Sequence, residues 1–199
     1  MNWGKTLVLL LGLIVLGGYL YIFEIRGVAE KKLADERKKQ AEWRNIQLFP
    51  YQPDEFKKVT LFKDGTTIVY QKEDGVWWMK EPLAIRGGEG ATNDIILSII
   101  NVVETDPVGD NPTDLAQFGL DAPPLSISVV LEGEAQPKTL LIGADNPTSI
   151  TLYAKWAHEP RVFLVGSLIR WEMNKEFYNL TNHTGPFFPG AKEGAPAGN

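Results

Sequence analysis

Residues 56–79 read FKKVTLFKDGTTIVYQKEDGVWWM. Apolar and polar side chains alternate through three short runs, Phe56 to Phe62, Thr66 to Gln71 and Val76 to Met79, with Asp64-Gly65 and Asp74-Gly75 between them. An Asp-Gly pair supplies the positive φ that a tight hairpin turn needs, and period-two alternation is the pattern of a half-buried strand. The stretch therefore predicts a three-stranded antiparallel meander, stopped by Pro82.

Towards the C-terminus the order repeats. Ile95 to Glu104 is expected to be a helix, capped by Thr92 or Asn93, with Ile96, Ile99, Ile100 and Val103 on one face. Leu125, Ile127, Val129 and Leu131 then alternate with Ser126, Ser128 and Val130; Thr139 to Ile142 follows, and Thr151 to Trp156 pairs with Arg161 to Val165. Ser167 starts a helix through Lys175. Strands followed by a helix appear twice, about 70 residues apart, as in a duplicated strand-strand-strand-helix unit. Helices that follow antiparallel strands imply an α+β domain with its helices on one face of antiparallel sheets. Between the halves, Thr113 to Phe118 makes one helical turn, which Gly119 ends in the left-handed region before Pro123 and Pro124.

Towards the N-terminus, Leu7 to Phe23 carries no charge. At about 1.5 Å per residue this run with its flanks reaches the ~30 Å of a bilayer's hydrocarbon. Trp3, Tyr19 and Tyr21 stand where interfacial rings belong. A cleaved signal peptide is the alternative, and the end of the run lacks the small residues that a signal peptidase requires. The expected organisation is an anchor over 1–25, a charged helical stalk over 26–48, a globular domain over 49–180 with halves 56–104 and 125–176, and a disordered Gly/Pro-rich tail over 181–199. Lys5 precedes the span, whereas Arg26, Lys31, Lys32, Arg37, Lys38, Lys39 and Arg44 follow it, so the charge count places the domain in the cytoplasm. Long domains translocate largely regardless of that count.

Several stretches resemble the domain of unknown function 4340 family: Leu115-Ala116-Gln117-Phe118-Gly119-Leu120-Asp121-Ala122-Pro123-Pro124, Leu140-Leu141-Ile142-Gly143, Leu152-Tyr153-Ala154-Lys155 and Arg161-Val162-Phe163-Leu164-Val165. The hairpin, Asp74-Gly75-Val76-Trp77-Trp78 and Glu81-Pro82 extend the likeness to the first half. The resemblance implies one N-terminal span with the domain outside the cytoplasm, on the periplasmic side of a bacterial inner membrane. It also implies genes beside ABC-2-type permeases and gliding-motility-associated transport components. It carries no activity. The chain departs from the family at Arg86-Gly87-Gly88-Glu89-Gly90-Ala91, where such proteins have a polar Ala-Asp element.

The chemistry-bearing residues are sparse. The chain has no cysteine and two histidines, His158 at a hairpin tip and His183 near the tail. Neither a catalytic set nor a metal or cofactor site is expected. Gly87, Gly88 and Gly90 lack the lysine of a phosphate loop. The acidic cluster Glu104, Asp106, Asp110, Asn111, Asp114 and Asp121 lacks the ligand spacing of a calcium loop and reads as turn and cap residues, with a cation site as the alternative. Net charge −5 argues against nucleic acid as a partner. Adjacent strand residues face opposite sides, so of Trp77 and Trp78 one points away from the core and is a candidate partner contact. Phe187 and Phe188 are further candidates, against packing back onto the domain, while Trp156 and Trp171 are expected in the core. The reading is a membrane-anchored, non-catalytic interaction domain that binds the bilayer through Leu7 to Phe23 and a membrane protein through its surface, an accessory subunit of an assembly such as an ABC-type transporter. The alternatives are a glycan or small-ligand binding module and, behind it, a hydrolase.

Overall fold

The computed structural model describes residues 3–21, 28, 31–33, 35–39, 46–88, 90–147 and 150–188. Two compact units are present, Met1–Asn45 and Ile46–Asn199. In the first, α1 spans Trp3–Leu20, 18 residues with mean hydropathy 1.7 and no buried residue, long and apolar enough to cross a membrane. Trp3, Tyr19 and Tyr21 are exposed. Residues 28, 31–33 and 35–39 of the expected stalk are helical and exposed; the rest of 22–45 lies outside the described residues.

The second unit is α+β. Nine strands form one antiparallel sheet: β1 Phe56–Lys63, β2 Thr66–Glu73, β3 Val76–Glu81, β4 Ile85–Arg86, β5 Glu104–Gly109, β6 Leu125–Leu131, β7 Lys138–Asp145, β8 Thr151–Trp156 and β9 Val162–Gly166. Their order across the sheet is β4-β3-β2-β1-β6-β7-β8-β9-β5. The two Asp-Gly turns form as expected from their chemistry, with Asp64, Gly65, Asp74 and Gly75 all at positive φ. Among the described residues two α-helices complete the unit, α2 Asn93–Ile100 and α3 Leu168–Asn182.

The two meanders start at the neighbouring central strands β1 and β6 and run outward in opposite directions, each followed by a helix. This is the arrangement a duplicated unit would give, joined into one sheet rather than two. Ile95, Ile96 and Ile99 of α2 and Ile169, Met173 and Phe177 of α3 share a single core with Val59, Leu61, Ile68, Ile127, Val129, Leu140 and Ile142, so both helices cover the same face. Burying a Leu or Ile side chain contributes about 1.5–3 kcal/mol, which makes this layer the main source of stability.

Two expectations about the helices are corrected. The first ends at Ile100, not Glu104, because segment 47–48 competes for the backbone beyond it: Gln47 bridges to Val103, the Leu48 N–H donates to the Val102 carbonyl at 3.0 Å, and Gln47 Nε2 donates to the Ile100 carbonyl at 3.2 Å. Glu104 then opens β5 instead. The second helix continues past Lys175 to Asn182, so the expected tail boundary at 181 falls inside it.

Candidate functional site

The connection between β5 and β6 folds over the sheet face opposite the helices. Asp114 Oδ1 accepts the Ala116 N–H at 3.0 Å and starts a short 3-10 turn, Ala116–Phe118. Gly119 ends that turn at φ 65°, donating its N–H to the Ala116 carbonyl at 2.9 Å. The Phe118 ring then stands 4.9 Å from the Tyr153 ring on β8. Gly143 receives the turn, since a β-carbon there would overlap the Phe118 carbonyl oxygen. The pairing of β7 with β8 shifts register between Ile142 and Asp145, and Arg170 of α3 holds this bulge through Nη2 to the Gly143 carbonyl at 2.9 Å and Nη1 to Asp145 Oδ2 at 2.6 Å. Pro124 accepts the Asp64 N–H at 3.1 Å, so the turn is fastened to the β1-β2 hairpin too.

Beside it lies an open groove of about 400 Å³ lined by Lys63, Asp64, Pro124, Leu125, Arg170 and Asn174, among others. Of the turn residues Gly119, Pro123 and Pro124, Pro124 lines this groove directly and Gly119 lies against Ala144, which lines it too. Gly143 and Arg170 were not singled out from the sequence. The Ile142-Gly143 break in an alternating strand was the available signal for the first; the second had none.

The tryptophans divide as strand geometry requires. Trp77 and Trp78 are both half-buried; Trp77 packs against the core, while Trp78 faces the other way. Across the sheet Arg86, Trp78, Gln71 and Lys58 stand in register on that face. Lys80 Nζ lies 4.9 Å from the Trp78 ring centroid and pairs with Glu73 at 2.7 Å. Trp78 is therefore an aromatic framed by cations and hydrogen-bonding groups. Trp156 packs edge-on against Phe49 at 5.2 Å, but Trp171 is 59% exposed, contrary to expectation. The core stripe of α3 runs through 169, 173 and 177, and at 100° per residue position 171 points outward.

Phe187 is 3% exposed and stacks on Tyr70 at 5.1 Å, above Gly87, where a β-carbon would meet its ring at 2.9 Å. It leaves no face for a partner, which corrects its candidacy; of the expected tail, residues 181–188 are described and residues 189–199 lie outside the described residues. Phe188 is half-buried and packs edge-on against His183 at 5.0 Å. His158 lines a separate groove of about 250 Å³ with Tyr51 and Trp156, whose lining does not include His183. The acidic run is dispersed: Glu104 pairs with Arg161, Asp114 caps the 3-10 turn, and Asp106, Asp110 and Asp121 are exposed. Among the described residues no three His, Asp or Glu side chains converge on a metal-sized site.

One polar pair, a buried tyrosine and a half-buried glutamate, stands apart. Tyr70 on β2 donates its hydroxyl to Glu176 Oε2 on α3 at 2.5 Å. Burial raises the Glu176 pKa, with Glu172 and Asp94 adding to the shift and the Tyr70 bond and Lys175 opposing it. Burial likewise pushes the Tyr70 phenol well above its ordinary value, with Glu176 adding to it.

No curated protein and no solved structure matches the chain. Residues 89–184 match the family model described as Domain of unknown function (DUF4340). The matched stretch runs from the residues before α2 to just past α3, so it contains the Gly119 to Pro124 turn, Gly143 and Arg170, and omits the first meander with Trp77 and Trp78. Over residues 89–184, just under half of its length, this chain is similar to the domain of unknown function DUF4340 family.

Proposed function

We propose that the protein is a single-pass, membrane-anchored interaction module whose α+β domain lies outside the cytoplasm and acts without catalysis, as an accessory subunit of a membrane assembly such as an ABC-type transporter. The observation that carries the reading is α1, an apolar helix of membrane-crossing length on which every residue is exposed. An apolar helix with no core of its own needs lipid or a partner around it. The outward orientation is supported by the resemblance described above and by the tolerance of translocation for long domains. The transporter association is supported by that resemblance alone.

Trp78 supplies the contact surface. Aromatic and arginine side chains dominate binding hot spots, and here an indole and the Arg86 guanidinium share one face with Gln71 and Lys58. The same composition favours a second reading, recognition of a glycan stacked on the ring with Gln71 and Glu73 as hydrogen-bonding rim. Gentle solubilisation of membranes containing the full chain, followed by affinity purification, separates the two: a stoichiometric permease subunit supports the accessory role, and a partner-free chain that retains glycan supports the second reading. A C-terminal reporter fusion active only in the cytoplasm would overturn the orientation.

A further inference from the structure

The outward side of α3 carries three large exposed apolar side chains where a soluble helix would be polar. Opposite Ile169, Met173 and Phe177 stand Leu168, Trp171, Lys175 and Tyr178. Leu168 is 68%, Trp171 59% and Tyr178 54% exposed, and neighbouring Ile150, whose carbonyl accepts the Ser167 N–H at 3.1 Å, is 86% exposed. Among the described residues of this unit the next large apolar side chain, Ile46, reaches only 42%. The exposure is therefore concentrated on one ridge and is not scattered over the surface.

The spacing of the ridge points to its occupant. Positions 168, 171, 175 and 178 are separated by three, four and three residues, a pattern that reads the same from either end. When a second α3 is laid antiparallel about a two-fold axis through the midpoint, Leu168 meets Tyr178 of the other copy and Trp171 meets Lys175 of the other copy. Each pairing occurs twice, which is the reciprocity an isologous contact demands. Both pairings are attractive, an aliphatic side chain on a phenol ring and an ammonium over an indole. Lys175 Nζ already lies 5.8 Å from its own Trp171 ring centroid, while Asp94 holds it at 3.3 Å and Glu172 stands at 3.9 Å. A bilayer surface has no need of a palindromic ridge, and anionic headgroups would be repelled by Asp94 and Glu172.

We propose that the α3 ridge is the interface of a homodimer. A single helix ridge falls well short of the ~800 Å² per partner of a standard stable interface, so the contact is weak between free domains. Chains anchored in one membrane are confined to a plane, which raises their effective concentration without any new contact. The proposal uses the anchoring part of the reading above and is independent of the transporter part.

The chain lacks cysteine, so single thiols can be placed at will. Full-length chains bearing Leu168→Cys, Trp171→Cys, Lys175→Cys or Tyr178→Cys are co-expressed pairwise and treated in native membranes with a short bis-maleimide. Expected are cross-linked dimers from 168 with 178 and from 171 with 175, severalfold above 168 with 168 and 178 with 178, whose α-carbons sit about 15 Å apart along antiparallel helices. With the 168 and 178 thiols in place, Trp171→Ser in both chains removes both Trp171–Lys175 pairings and should abolish that cross-link while leaving the melting temperature unchanged. Monomers only, stronger homotypic than mixed pairs, or capture of a different protein by the ridge thiols would each overturn the homodimer. A permease captured by a monomer would do so while leaving the accessory role intact; a dimer without a permease would do the reverse.

Discussion

The Tyr70 hydroxyl and the Glu176 carboxyl meet at 2.5 Å between β2 and α3, with the Phe187 ring stacked on Tyr70. A folded-state pKa above the unfolded value means that the native state holds its proton more tightly than the unfolded chain. For Glu176 that contribution is fully present below the unfolded carboxyl pKa and is lost as pH rises through the raised folded value. Glu176→Gln keeps an acceptor for Tyr70 and removes the titration. The variant is expected to equal or exceed the wild type at pH 8 and to approach it near pH 4, as read from urea unfolding at both pH values. A wild type that gains on the variant with rising pH would contradict the sign.

Gly143 accounts for the break in β7 by what it must accommodate. Its side faces the Phe118 carbonyl oxygen and the Gly119 carbonyl group, so any β-carbon displaces the turn. Gly143→Ala is expected to cost about 1–3 kcal/mol, the usual range for overpacking. Gly166→Ala is the control: nothing lies within 4 Å of its added carbon and its φ is not positive, so the change should stay within about 0.5 kcal/mol. Urea midpoints with unchanged slopes would confirm both.

What was legible in the chain was local. Asp64-Gly65 and Asp74-Gly75 need positive φ, and period-two alternation marks strands whatever the fold, so the meander of 56–81 could be read residue by residue. Gly119 was legible for the same reason. What was not legible depended on partners distant in sequence. The end of α2 is decided by Gln47 and Leu48 pairing across to Val102 and Val103. Gly143 matters only because Phe118 lands on it. Trp171 carries a core residue's composition on a solvent-facing position, which the helix period discloses only once the buried face is known. The join of two meanders into one sheet rests on β1 pairing with β6, a contact no local pattern announces.

Phe187 tests how the turn after α3 is held to the domain. Its ring fills the space between Tyr70 and Gly87, and Gly87 in turn donates its N–H to the Trp77 carbonyl at 2.8 Å. Phe187→Ala should cost about 3–5 kcal/mol, the range for emptying a buried aromatic site. Phe188→Ala, at a half-buried ring, should cost distinctly less. Equal small effects by thermal unfolding would show that the turn at Gly185 to Phe188 contributes little to the fold.

The two adjacent tryptophans separate stability from binding within one strand. Trp77 lies against the core, so Trp77→Ala opens a partial cavity and should lower stability by about 2–3 kcal/mol, less than a fully buried ring would. Trp78 rests on the other face under Lys80, and its removal leaves the core intact. Trp78→Ala should therefore shift the melting temperature by no more than a few degrees, while weakening capture of the membrane partner, or of glycan, by about 2 kcal/mol, roughly thirtyfold. Lys80→Ala offers the complementary readout. It uncovers the ring without removing it, so a partner that binds the indole face should be held as well as before or better. If Trp78→Ala instead unfolds the domain and leaves binding untouched, the contact surface lies elsewhere and Trp78 is a packing residue.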